Sequence, residues 1–216
     1  MMLTRRGLLR LGGALGAACL AGCGDRQRWH ALDIAGTLPP LQFQMTRARD
    51  QRLVSERDYR GQIVALYFGY TFCPDLCPTT LANLASVLQG MGNEAQRVAV
   101  LFVTVDPERD TLPVLASYVR DFAPEIDGLR GTPDQLTALA RRYRVAFSVT
   151  PRTNDRPYEV DHSSAIYVFD GARSARLLVA SLSTSAPDLE GTRSDLARLA
   201  HEQAPSGILA WLRDAV

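Results

Sequence analysis

Runs of largely apolar residues recur along the chain and predict buried strands. The three clearest runs are residues 63–69, 98–105 and 164–169. A strand that is covered on both faces of a sheet is apolar at nearly every position, whereas a strand with one wet face alternates. Residues 41–45 do alternate, and with the short apolar run at 53–55 they predict a hairpin.

Helical periodicity separates these strands. Leu81, Leu84 and Leu88 fall on one stripe of an amphipathic segment that ends near two glycines. The predicted helices are residues 79–91, residues 112–122, a helix with Pro133 in its first turn, and the tail 194–216 with an interruption at Pro205. A turn at Asp170-Gly171 precedes a further strand at 177–181. Since strands and helices alternate, we predict an α/β fold with a mixed sheet.

The first 22 residues have the layout of an export signal. Arg5, Arg6 and Arg10 flank the start of an apolar stretch that ends in small residues before Cys23. The stretch is too short and too rich in glycine for a typical membrane-spanning helix. We therefore expect residues 1–22 to be a bacterial lipoprotein signal peptide, and Cys23 to be lipidated after cleavage. An uncleaved anchor helix is the alternative, and both twin-arginine and general export remain open.

Either export route ends outside the cytoplasm, so we expect the protein on the periplasmic side of the cell membrane, anchored by lipid at Cys23. Residues 23–40 mix charged residues with Gly36, Pro39 and Pro40 and show no sustained period. This predicts a tether between the lipid and the domain. The remaining residues, 41–216, have the length of one compact domain.

The charge balance argues against a nucleic-acid partner. The chain has 24 arginines, no lysine and 23 acidic residues, for a formal net charge of +1. Cleavage after residue 22 removes three arginines and no acidic residue, which brings the formal charge to −2. Such a chain has no basic excess with which to bind phosphates.

Two of the four cysteines remain once the signal peptide and the lipidated residue are set aside. Cys73 and Cys77 lie in the run 73–78, directly after the first buried strand. The carboxyl ends of strands are where open α/β sheets bind their ligands. We predict Pro78 as the first helical residue, with Cys77 at the cap. Backbone N–H groups would then make Cys77 the more acidic and reactive thiol.

A spaced pair of thiols permits a structural disulfide, redox chemistry or metal binding. A structural disulfide is the least favoured, because the closed loop is short and a domain of this size needs no crosslink. A soft metal would need a third ligand. His162 precedes the third apolar strand and is the best candidate, whereas His30 and His201 have ordinary surface surroundings. From the residues alone, the redox and metal interpretations both stay open.

The region around the two cysteines resembles a known family. Residues 67–81 are similar to the signature of the Sco/SenC copper chaperones, and further matches follow in family order at residues 105–111, 128–133 and 160–164. The resemblance covers about residues 41–182. It implies a thioredoxin-like fold, in which helices flank a mixed central β-sheet. It also implies one copper ion bound by Cys73, Cys77 and His162.

The resemblance carries further implications about function. The family delivers copper to the binuclear copper centre of cytochrome c oxidase subunit II, which makes that subunit the expected partner. Other periplasmic copper carriers or thiol reductases are further candidate partners. The family has also been linked to reduction of the cysteines of that centre, so Cys73 and Cys77 are expected to be redox-active and able to form a disulfide.

The alternative function is that of a periplasmic thiol-disulfide oxidoreductase, with a peroxidase of the same fold as a weaker option. Redox enzymes of this fold carry the tighter Cys-x-x-Cys spacing and a cis-proline that faces the thiols. Here the spacing is longer, and no proline occurs between Tyr158 and Ala186. These departures favour the chaperone.

Four neighbouring residues receive more specific expectations. By resemblance, Asp75 has an outer-shell or proton-transfer role. Asp106 is expected to shape the turn after its strand, and Asp110 or Thr111 to cap the next helix, with direct copper contact by Asp106 and Asp110 as the less favoured alternative. Phe72 stands where relatives often have His, so we expect no auxiliary ligand there.

Overall fold

The computed structural model describes residues 28–150, 153 and 158–202. Its strands are β1 (Leu32–Asp33), β2 (Gln44–Arg47), β3 (Leu53–Ser55), β4 (Ile63–Gly69), β5 (Val98–Thr104), β6 (Ile126–Arg130), β7 (Phe147–Thr150), β8 (Glu159–His162), β9 (Ile166–Phe169) and β10 (Ala175–Val179). Its helices are α1 (Leu76–Met91), α2 (Leu112–Arg120), α3 (Pro133–Arg142) and α4 (Leu189–Glu202).

Eight strands form one mixed sheet in the order β1-β10-β9-β4-β5-β6-β2-β3. β4, β5 and β6 run parallel to one another, and the other neighbours are antiparallel. Every residue of β4 and β5 is buried, which explains their unbroken apolar runs. Helix α2 packs against β6, helix α4 packs against β4, and helix α1 packs against α4. The α/β architecture and the predicted hairpin of β2 and β3 are therefore present.

The N-terminal residues that the structure describes belong to the folded domain. β1 pairs with β10, and the buried Asp195 of α4 accepts hydrogen bonds from the backbone N–H groups of His30 (3.2 Å) and Ala31 (2.8 Å). Ile34 is buried in the core. The expected tether is therefore wrong for residues 28–40. A two-residue strand is too short to show a period, so the sequence pattern concealed it.

Helix α1 begins earlier than predicted. Asp75 occupies the N-cap position, so Leu76 is the first helical residue and Pro78 the third. A proline is tolerated there because the first four N–H groups of a helix have no intrahelical acceptor. Cys77 consequently lies inside the first turn rather than at the cap.

Besides β1, three strands were not predicted. β6 contains Asp127 and Gly128, which interrupt its apolar pattern. β7 and β8 pair only with each other, and their partly exposed residues carry a weak pattern. Two further elements begin earlier than predicted: α4 begins at Leu189, five residues before the predicted start, and β10 begins at Ala175, two residues before it.

Several expectations fall on residues outside the described ranges. These are the signal peptide at 1–22, the lipidated Cys23 and the interruption at Pro205. Within the described ranges, no helix is both long enough and apolar enough to cross a lipid bilayer.

Candidate metal centre

The two cysteines are brought together by the loop between β4 and α1. The Cys73 N–H donates a hydrogen bond to the Tyr70 carbonyl at 3.3 Å, which closes a tight turn after β4. The Cys77 N–H then donates to Cys73 Sγ at 3.3 Å. Cys77 is fully buried and Cys73 is partly exposed, and both thiols are free.

His162 reaches this loop from the end of β8. Its Nε2 lies 3.2 Å from Cys77 Sγ, and its Nδ1 lies 3.0 Å from the carbonyl oxygen of Ser163. Because a carbonyl only accepts hydrogen bonds, Nδ1 carries the proton in the neutral ring. Nε2 therefore presents its lone pair to the sulfur. The nearest ligand atoms of Cys73, Cys77 and His162 all lie within 4.8 Å of one another.

Burial sets the charge state of this cluster. Desolvation raises the pKa of Cys77 to about 12 and lowers the pKa of His162. Our expectation that Cys77 is the acidic thiol is therefore wrong, because the loss of hydration outweighs the helix terminus. A bound cation would offset the cost of burying a thiolate, and binding would release the thiol proton.

Gly69 leaves the space that Cys77 fills. A Cβ at this position would lie 2.5 Å from the Phe102 ring and 3.0 Å from Cys77 Sγ. Aromatic rings enclose the imidazole nearby: the rings of Tyr70 and His162 meet edge to face, with centroids 5.8 Å apart. Sequence reasoning had singled out neither Gly69 nor Tyr70, since only the folded chain brings them against the ligands.

Asp110 anchors the cysteine loop instead of capping α2. Its fully buried carboxylate accepts hydrogen bonds from the Thr71 N–H (3.0 Å), the Thr71 hydroxyl (2.6 Å) and the Thr104 hydroxyl (2.5 Å). Burial raises the pKa of Asp110, and these hydrogen bonds oppose the rise. Thr111 holds the N-cap position of α2, yet its side chain makes no capping hydrogen bond. The expected cap is therefore wrong for Asp110, whereas Thr111 does occupy the cap position but without a side-chain hydrogen bond.

Asp106 connects the loop after β5 to the strand that carries His162. Its carboxylate accepts hydrogen bonds from the Tyr158 hydroxyl (2.8 Å) and from Arg109 Nε. The Arg109 guanidinium lies 4.0 Å from the centre of the Tyr158 ring and 4.9 Å from that of Phe72. Asp106 also shapes the turn as expected, because its carbonyl accepts the Asp110 N–H at 3.0 Å. Its longer-range contact to Tyr158 was not predicted.

The other predicted positions lie on the surface. Asp75 is exposed, and its carboxylate accepts a hydrogen bond from the Thr79 hydroxyl at 3.3 Å. Its outer-shell role stays a prediction. His30 and His201 are exposed and lie 3.6 Å and 2.9 Å from Asp188 and Glu94 respectively. Phe72 is 55% exposed.

The donor set determines which ions the site suits. Thiolates are soft ligands and imidazole is a borderline one, and together they favour Cu(I) or Zn(II) over hard cations such as Mg²⁺ and Ca²⁺. Three ligands also leave a copper ion with an open position for an incoming group. The cluster could therefore hold copper.

Comparison with known proteins identifies the family. A model for SCO1/SenC matches residues 39–196 of this chain. The bovine (Bos taurus) protein named "Protein SCO2 homolog, mitochondrial" is 47% identical over 119 residues, which cover 54% of this chain. The match spans 45% of the length of that relative.

Solved structures agree with this match. ScoI from Arabidopsis thaliana with copper bound has a TM-score of 0.66 and 30% identity, and the alignment covers 76% of this chain and 98% of that one. ScoI from Bradyrhizobium japonicum with copper bound has a TM-score of 0.64 and 33% identity, with coverage of 74% and 98%. The predicted thioredoxin-like fold is confirmed. Since the family model spans most of the chain and the architecture agrees, the chain belongs to the SCO1/SenC family.

Proposed function

We propose that this protein is a copper metallochaperone that binds one copper ion through Cys73, Cys77 and His162. The observation that carries the proposal is the convergence of two sulfurs and an unprotonated imidazole nitrogen within 4.8 Å. Two relatives of similar fold are described as copper-bound, which supports the choice of metal.

We further propose that the copper is delivered to the binuclear copper centre of cytochrome c oxidase subunit II. A three-coordinate ion can accept a thiolate from the partner before it loses one of its own ligands. Cys73 is the more exposed sulfur and Cys77 is buried, so Cys73 is exchanged first. Transfer then proceeds by stepwise ligand exchange, without a free ion.

The place of delivery follows from the N-terminal pattern. The signal-like residues 1–22 and Cys23 support a lipid anchor on the periplasmic side of the cell membrane. Metabolic labelling of the expressing cells with a radioactive fatty acid tests the anchor. We expect label in the wild type and none in Cys23→Ser, and equal label in both chains would contradict the anchor.

A Cu(I) titration tests the site. The purified, reduced full-length chain is titrated without oxygen against a competing chelator, beside Cys73→Ser, Cys77→Ser and His162→Ala. We expect one copper per chain. Each substitution should weaken affinity by more than roughly 100-fold, since even outer-shell changes cost 10- to 100-fold. His30→Ala is the matched control, because His30 is an exposed histidine, and it should bind as the wild type does. Weak binding that ignores His162→Ala would contradict the proposal.

The free thiols favour a second candidate, the reduction of the oxidase copper-site cysteines. The more exposed Cys73 would attack a partner disulfide, and Cys77 would then displace the reduced partner. Two electrons pass to the partner, and a Cys73–Cys77 disulfide remains for an external thiol reductase to reduce. This reaction does not need an imidazole ligand, so His162→Ala separates the two functions. Retained disulfide reduction with lost copper binding would assign both functions to one cysteine pair.

A further inference from the structure

Tyr67 is a buried polar residue that the proposed copper site leaves unexplained. Its side chain on β4 is fully buried, and its hydroxyl makes no hydrogen bond of good geometry among the described residues, although the Cys77 sulfur and the Thr80 hydroxyl lie near it. A buried hydroxyl without a partner disfavours folding, because it loses its hydrogen bonds to water. Such a group therefore suggests a partner that forms only in another state of the molecule.

The phenol of Tyr67 faces the candidate ligands. Alternate residues of a strand share a face, so Tyr67 and Gly69 point to the same side of the sheet. On that side a Cβ at Gly69 would lie 3.0 Å from Cys77 Sγ. The Tyr67 ring also meets the His162 ring edge-on, with centroids 6.3 Å apart. Tyr67 thus lies beside two of the three proposed ligands.

Two neighbours affect this phenol. The Cys77 sulfur and the Thr80 hydroxyl both lie close enough to influence the Tyr67 hydroxyl. A phenol keeps its proton at neutral pH, so this hydroxyl can act as a donor. Thr80 Oγ1 already donates to the Leu76 carbonyl at 2.7 Å. A neutral thiol is a weak acceptor, and a thiolate is a strong one.

We propose that Tyr67 is a positioning residue whose hydroxyl donates a hydrogen bond to Cys77 Sγ when that sulfur is a copper-bound thiolate. The inference rests on the proposed function, because it needs copper at this site. The hydrogen bond draws electron density from the sulfur and weakens its donation to copper. It thereby stabilises Cu(I) relative to Cu(II), since hydrogen bonds around a cysteine ligand tune the potential of copper sites.

Tyr67→Phe tests the hydroxyl, with Tyr118→Phe as the matched control. The Tyr118 hydroxyl is also buried without a partner among the described residues, and Cys73 and Cys77 act on it only through their charge. Both rings pack against Phe102, with centroids 5.8 Å away for Tyr67 and 5.6 Å away for Tyr118. Each substitution therefore removes one orphaned hydroxyl from the same aromatic cluster.

Three measurements on the full-length chain report on the copper-bound state. In Tyr67→Phe we expect Cu(I) affinity to fall roughly 10- to 100-fold, the usual range for an outer-shell partner. The thiolate-to-Cu(II) charge-transfer band should move to longer wavelength, and the Cu(II)/Cu(I) potential should become more negative. Tyr118→Phe should match the wild type in all three.

The stability of the metal-free chain tests whether the role of the Tyr67 hydroxyl is merely structural. Because the Tyr67 hydroxyl lacks a partner without metal, Tyr67→Phe should unfold at the same urea concentration as the wild type or a higher one. A lower midpoint, or failure to fold, would overturn the inference.

The outcomes also separate this inference from the proposed function. A wild type that binds copper while Tyr67→Phe keeps its affinity, band and potential would overturn the role of Tyr67 alone. Equal changes in Tyr67→Phe and Tyr118→Phe would overturn it too, since they would reflect altered packing. A wild type that binds no copper would overturn the proposed function, and this inference with it.

Discussion

The sulfur of Cys77 experiences two opposing electrostatic effects. It lies in the first turn of α1, where exposed N–H groups favour a negative charge. It is also fully buried, and burial raises its pKa to about 12. Burial prevails because a helix terminus supplies only about half a unit charge, whereas desolvation removes the whole hydration of the thiolate.

This raised pKa predicts how the stability of the metal-free chain depends on pH. The ordinary pKa of 9.0 applies to the unfolded chain, and the folded value is about 12. The folded state therefore keeps a proton that the unfolded state has released. The resulting stability is complete below the unfolded pKa and is lost as pH rises from 9.0 towards about 12. Urea unfolding at about pH 8, 9 and 10 should show a steeper decline for the wild type than for Cys77→Ala. Parallel curves would contradict the prediction.

Gly69 is a second residue that limits the packing beside Cys77, because its position has no room for a Cβ atom. Gly69→Ala should destabilise the fold by about 1–3 kcal/mol, the usual cost of overpacking a core. The added methyl group would meet the Phe102 ring and Cys77 Sγ, neither of which can move without disturbing its neighbours. Copper affinity should fall as well, because Cys77 must shift.

Gly90→Ala is the matched control for this change. Its new Cβ would meet only the flexible Arg193 side chain at 2.9 Å, and Ala is the better helix former. Urea denaturation should therefore show equal or higher stability for Gly90→Ala. Equal stability of Gly69→Ala and the wild type would show that the cavity beside Cys77 is larger than the structure indicates.

Among the elements, β8 decides whether the site is complete, because it carries His162 but lies outside the main sheet. It pairs only with β7 within the described structure. A two-stranded ribbon is marginally stable by itself, so other contacts must hold it near the cysteine loop. The hydrogen bond from Tyr158 to Asp106 supplies one such contact at the start of β8.

Tyr158→Phe should weaken this attachment. The substitution removes the hydrogen bond to Asp106 and keeps the ring that packs over Arg109. We expect a loss of about 0.5–1.5 kcal/mol in the free energy of unfolding, the usual net value of one hydrogen bond. Copper affinity should decrease modestly, because His162 is held less firmly. Tyr118→Phe is the control: it removes a hydroxyl that has no partner among the described residues, so neither the free energy of unfolding nor the copper affinity should decrease. Unchanged copper affinity in Tyr158→Phe would show that other contacts position β8.

Across the whole molecule, the domain begins before the predicted boundary. β1 extends the sheet at β10, and the Arg198 guanidinium lies 3.8 Å from the centre of the Trp29 ring. These contacts join the N-terminal segment to both the sheet and α4. The site lies elsewhere, in the loop after β4 and at the end of β8.

Deletion of residues 1–40 should therefore lower the thermal stability of the domain more than deletion of residues 1–27. The longer deletion removes β1 and the buried Ile34, which together should lower Tm by about 5 °C or more. Copper affinity at low temperature should be similar for both chains, since neither deletion removes a proposed ligand. Thermal unfolding followed by circular dichroism measures the difference. Equal Tm values would show that the segment adds no stability.

Much of the fold was predictable from local pattern. The strands β4 and β5 are buried throughout, so their apolar runs identify them without knowledge of the rest of the chain. β1 was missed because it has two residues and pairs with β10, which is distant in sequence, and β7 and β8 were missed because they are short and partly exposed. Asp110 was misassigned for a related reason: its donors, Thr71 and Thr104, belong to other elements.

The sequence by itself determined the donor types of the candidate site and the place of the two thiols at the end of a buried strand. These properties follow from residue identity and hydrophobic period, which are local. Tertiary structure alone decided that His162, 85 residues from Cys77, brings Nε2 within 3.2 Å of its sulfur. It also decided that the pKa of Cys77 is raised by burial, contrary to our expectation, and that Tyr67 lies beside this residue. Distance and desolvation depend on which elements pack together, and no local pattern encodes them.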